Sequence, residues 1–165
     1  MLMVRNKRIS MFFLVTGLLA LLTTAAYATS SAHSAPPSLV GTWKTTVPQS
    51  EGNPRPTFES LLTFFADGNM VEVNSMNPAL SVPAHGVWIG SGSTYLLTFE
   101  TFTFDEQGKH TGKIRAHLSI KMDGPDHFTA TSTADAIDLQ GKVTKNVING
   151  TSESTRMEVE LPELQ

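Results

Sequence analysis

Cysteine is absent from the 165 residues, and with it go disulfide cross-links, thiolate metal ligands and thiol nucleophiles. Helical patterning is almost missing too. No stretch sets apolar residues at three-and-four spacing between an N-cap and a closing Gly, which argues against helical bundles and helix crossovers. Basic residues are few, twelve against fifteen acidic, for a formal net charge of −3. That balance suits neither nucleic acid nor an anionic membrane surface as a partner. No Ser-His-Asp arrangement and no phosphate-cradling Gly loop occurs. The five His are scattered without a placed carboxylate, so no metal site and no cofactor are expected.

The one long apolar run lies at the N-terminus. Arg5, Lys7 and Arg8 precede an apolar stretch over 9–22, and small residues end in Ala26-Tyr27-Ala28. This is the pattern of a secretory signal peptide over 1–28, placing the protein outside the cytoplasm, secreted or periplasmic. The stretch is also about the ~20 residues that span a bilayer, so a retained anchor is the alternative; the interior Thr and the Ala-x-Ala end favour cleavage. Three basic and no acidic residues sit in the leader, so removing it makes the remainder more acidic. No membrane contact beyond export is expected, and the oligomeric state stays open. Residues 29–37, with Ser, Ala and paired Pro, read as a flexible linker, leaving 38–165 as one domain whose core alone must hold it together.

What is present is strand. Residues 94–122 carry two long strand-forming runs, the second alternating without a break: Ile114, Ala116, Leu118 and Ile120 on one face, Lys113, Arg115, His117 and Lys121 on the other. A loop over 106–109 sets Tyr95 opposite Ile120, Leu97 opposite Leu118, Phe99 opposite Ala116 and Glu100 opposite Arg115. A further turn over 123–127 sets Met122 opposite Phe128 and Arg115 opposite Asp135. Strands are also expected over 39–47, 57–65, 70–75, 85–90 and 151–161, with 142–148 either a strand extension or a loop. Asp67-Gly68 reads as a two-residue hairpin turn setting Phe64 opposite Val71 and Leu62 opposite Val73, and Asn149-Gly150 reads as another turn. Eight or nine antiparallel strands in sequence order, without a crossover, avoid open edges most simply by closing into an up-and-down barrel.

Gly41-Thr42-Trp43 begins the first strand and Arg156 stands near the end of the last. The pair resembles the lipocalin and wider calycin barrels, in which a Gly-x-Trp opens strand one and a late Arg packs across the Trp at the closed end. The resemblance implies an all-β, lipocalin-like barrel with structural roles for Gly41, Trp43 and Arg156. The alternation also resembles the cofactor-independent barrel cyclases of the allene oxide cyclase and dirigent kind, although no catalytic motif of theirs matches here.

The long loops, 48–56, 76–84, 106–109 and 139–150, share one end, which is then the mouth. The leading functional reading is a cavity for a small hydrophobic molecule lined by Phe58, Leu62, Phe64, Val71, Val73, Trp88, Leu97, Phe99, Ala116 and Leu118. An enzyme of the cyclase or isomerase type would draw on His85, Glu100, Arg115 and Asp135 as its acid/base candidates. The bland alternative makes Glu100, Arg115 and Asp135 a charge ladder on the outer face, which is the reading adopted, because the opposite face of these strands is far more apolar. His85 is otherwise an exposed His at a strand start. Phe102 and Phe104 break the alternation, through an inward bulge or as an apolar rim suited to a protein-interaction module.

Overall fold

The computed structural model describes residues 38–77 and 82–162. The expected leader and linker, and part of the mouth loop after residue 77, lie outside the described residues. Eight strands follow one another: β1 (Gly41–Val47), β2 (Phe58–Phe64), β3 (Asn69–Asn74), β4 (Ala84–Ser91), β5 (Thr94–Phe104), β6 (His110–Met122), β7 (His127–Asp138) and β8 (Val143–Arg156). Each pairs with the next, and β1 pairs antiparallel with β8, so the sheet closes into a barrel. Closure satisfies every edge that a meander of this length would otherwise leave unpaired.

The central hairpin has the register that apolar pairing demands. Tyr95 faces Ile120, Leu97 faces Leu118, Phe99 faces Ala116 and Glu100 faces Arg115. Across the next seam Met122 faces Phe128 and Arg115 faces Asp135. The inward side chains nearest the β1 start form the packed core: Trp43, Phe64, Met70, Leu97, Ile120 and Phe128 are all almost fully buried. Trp43 lies 4.7 Å from Phe128, ring centre to ring centre, and its Nε1 donates to the Leu39 carbonyl at 2.9 Å. The Arg156 guanidinium sits 4.2 Å above the Trp43 ring. It donates to the carbonyls of Ser38, Val40 and Pro125, which ties the approach to β1 and the β6–β7 turn to the end of β8. Gly41 has a φ of 133°, and a Cβ there would lie 2.5 Å from Arg156 Nη1, so the glycine is what lets the guanidinium pass.

Three expectations fail, each for a local reason. The β2–β3 turn is longer than Asp67-Gly68 alone. The Phe65 N–H donates to the Asn69 carbonyl, Asp67 Oδ1 accepts the Asn69 N–H, and Gly68 takes a φ of 86°, the geometry of a three-residue loop ending in a left-handed Gly. Phe64 therefore faces Met70 and Leu62 faces Glu72. Val71 and Val73 turn to the outer face, where Val73 is exposed. Asn149-Gly150 is not a turn: both residues pair within β8, opposite Thr133 and Ser132. Of the ambiguous stretch over 142–148, residues 143–148 belong to the same strand, which ends at Arg156, short of the expected 161. It carries a wide bulge, with Ala134 facing Ile148 and Ala136 facing Thr144, so that residues 145–147 arch over Asp135.

Candidate functional site in the barrel lumen

The four acid/base candidates share one transverse row, because His85 pairs with Glu100, Glu100 with Arg115 and Arg115 with Asp135. The row runs along the outer surface, on the face opposite Phe99, Ala116 and the core. Within it Arg115 bonds Glu100 at 2.6 Å, and Lys113 bonds the other oxygen of the same carboxylate at 2.9 Å. These two partners, Lys113 first, hold the Glu100 carboxyl below its usual range. Asp135 takes no part in this cluster. The β8 bulge covers it: Lys145 Nζ bonds Oδ2 at 2.6 Å, and the N–H of Asn146, a residue with a φ of 53°, bonds Oδ1 at 3.0 Å. Those bonds, Lys145 foremost, lower the Asp135 pKa. His117 lies 3.7 Å from Asp135 and its other ring nitrogen meets the Thr98 hydroxyl. His85 is exposed. Glu100 and Arg115 are thus satisfied in a surface ion-pair cluster with Lys113, Asp135 is capped by Lys145 and Asn146, His85 is exposed, and none of the four is in the wall of the lumen cavity.

Phe102 and Phe104 do not turn into the lumen. The β5–β6 register shifts after Thr103, and both rings pack against His110 at the rim, Phe102 edge-on and Phe104 tilted, 5.3 and 5.8 Å between centres. Among the described residues no three His, Cys, Asp or Glu side chains lie close enough to hold a metal ion.

The lumen itself divides. Toward the Trp43 end, Phe64 and Leu97 belong to the packed core, with Trp88 against it. Trp88 is held there by its Nε1, which donates to the carbonyls of Phe65 and Asn69. These three, expected to line a ligand, instead plug the closed end. At the opposite end a cavity of about 120 Å³ opens, and of the residues proposed to line a ligand, Phe58, Leu62, Phe99, Ala116 and Leu118 are in its wall. So are Ser60, which strand alternation also turns inward, and three residues that apolar pattern could not single out: Glu72, Asn53 and Arg55.

Glu72 is the consequence of the β2–β3 register, which points it inward in place of Val71 or Val73. It is only 5% exposed. Its Oε1 accepts from the Ser60 hydroxyl at 2.8 Å and from Asn74 Nδ2 at 3.0 Å. Burial pushes its pKa up against these two bonds, because the charged form loses water and, among the described residues, gains no cation. Asn53 arrives on the loop between β1 and β2. A tight turn bonds Ser50 to Asn53 through both backbones, and the Gly52 carbonyl accepts the Asn149 N–H at 2.8 Å, which docks the loop on β8. Asn53 is thereby 3% exposed, and its Oδ1 has no hydrogen-bond partner among the described residues. Arg55, on the same loop, is partly desolvated, which lowers its pKa. Among the described residues no carboxylate pairs with it.

No protein-family model matches the chain, and no curated protein matches it. Among solved structures it is similar to the crystal structure of Treponema pallidum Tp0751 (pallilysin), at 14% identity and a TM-score of 0.36, over 73% of this chain and 80% of that one.

Proposed function

We propose that this protein is an exported, lipocalin-like barrel that binds a small molecule in its lumen. The observation that carries the reading is the cavity of about 120 Å³ in which an apolar wall meets the buried carboxyl of Glu72. A barrel filled for stability alone gains nothing from a desolvated carboxyl, whereas ligand sites combine apolar walls with a few placed polar groups that orient what they hold. The Gly41, Trp43 and Arg156 arrangement supports the lipocalin-like label, and the leader pattern supports export. On a measure by which one water needs about 10–15 Å³, the cavity suits a compact organic molecule rather than a long lipid. An apolar ligand of the kind expected from the wall residues would leave the Asn53 Oδ1 without a donor and bring nothing polar to the Glu72 carboxyl, so the ligand carries polar groups as well.

Native mass spectrometry of protein purified from its own host tests the reading. A bound small species, lost in an Ala116→Phe variant whose ring fills the lumen, is the expected outcome. Ligand-free protein from that source would sink it. A second reading has one observation behind it. Glu72 is a buried carboxyl of raised pKa inside a cavity, as a general acid or base requires, so a cofactor-independent isomerase or cyclase would work through Glu72 and not through the outer row.

A further inference from the structure

Glu72 and Arg55 are the titratable side chains in the cavity wall. They carry opposite charge, yet no ion pair joins them among the described residues, and neither has another charged partner there. Two opposite charges facing one cavity without meeting leave a gap that a ligand's own charges can bridge. The third feature is the Asn53 Oδ1, a buried acceptor with no donor, which costs free energy until something donates to it. The one cavity wall thus holds acceptors on Glu72 and Asn53 and, on Arg55, a guanidinium fork whose paired N–H groups match a carboxylate.

We infer, resting on the lumen-binding reading above, that the cavity is built for a small zwitterion whose ammonium group bonds Glu72 and Asn53 and whose carboxylate meets Arg55. The competing charge types fit less well. A simple amine would bring a second cation beside Arg55, and a simple carboxylate would bring a second anion beside Glu72. A neutral alcohol could donate to Asn53 but would leave both wall charges unpaired. The apolar wall of Phe58, Ala116 and Leu118 then takes a short hydrocarbon side chain, and the cavity volume limits its size.

Four probes of matched shape separate these cases: L-valine, isobutylamine, isovalerate and isobutanol, titrated calorimetrically into the intact protein. L-valine should bind more tightly than each of the others by about tenfold or more, the worth of one charged hydrogen bond. Glu72→Gln and Arg55→Gln should each remove that advantage. Arg55→Gln keeps the test informative if the lumen variant folds poorly, because Arg55 stands on a loop outside the strands. Valine affinity should also rise with pH as Glu72 loses its proton, a dependence that Glu72→Gln abolishes. Isobutanol or isovalerate binding as tightly as L-valine would overturn the zwitterion inference while leaving the lumen as a binding site. Absence of saturable L-valine binding would also overturn it, and the host-derived mass measurement would then decide the broader reading separately.

Discussion

Replacing Arg156 by Met tests the closed end, since Met keeps the apolar stem and deletes the guanidinium. In the native barrel that group sits over Trp43 at 4.2 Å and makes five hydrogen bonds, to the carbonyls of Ser38 and Val40, twice to that of Pro125 and to the Asp126 carboxylate. A charged hydrogen bond contributes about 1.5–3 kcal/mol and a cation–π contact about 0.5–2 kcal/mol. The bonds do not sum, because the side chain is 23% exposed and water re-satisfies part of what is lost. The expected cost is therefore about 2–4 kcal/mol, a large share of the ~5–15 kcal/mol that holds a typical domain. Arg156→Lys, which retains the charge without the fork, should recover only part. Equilibrium urea unfolding followed by circular dichroism reads both, and a loss under about 1 kcal/mol for Arg156→Met would place the residue among ordinary surface charges and refute the clasp.

The outer row should behave as surface chemistry: Arg115→Leu is expected to change stability by under about 1 kcal/mol, with the effect fading as salt rises, and a large loss that persists in high salt contradicts the placement. Asp135 has a lowered pKa, so its contribution is present above its ordinary value of 3.8 and is lost as pH falls through the folded value. Acid unfolding monitored by fluorescence should accordingly begin earlier in Lys145→Met, and no shift would mean that Lys145 does not hold the carboxylate. Glu72 has the opposite sign. Its raised pKa makes the protonated form the stabilising one, so stability falls as pH rises from about its ordinary 4.5 toward the folded value. Glu72→Gln, which can still accept from Ser60 and Asn74, should flatten that slope and be the more stable form at neutral pH; urea midpoints that track wild type from pH 4 to 8 would show that Glu72 does not titrate on this range.

Much of the architecture was legible in the chain. Uninterrupted alternation in β6 leaves only one face that can be buried, and its pairing with β5 follows because a one-residue slip would expose every apolar side chain. The Gly41, Trp43 and Arg156 clasp could also be anticipated, since closing an eight-stranded meander brings the start of β1 to the end of β8. The lining of the lumen cavity could not. In β3 the two faces are Met70 with Glu72 and Val71 with Val73, and apolar pattern alone chooses the Val face. Three-residue geometry at Asp67-Gly68 chose the other, turning an expected apolar lining into a buried carboxyl. The bulge of β8 is equally invisible to periodicity, and it took Asp135 from Arg115 and gave it to Lys145. Local alternation determines which strands form and which face of a long one is buried; loop length and closure, properties of pairs of strands, decide which side chains meet inside.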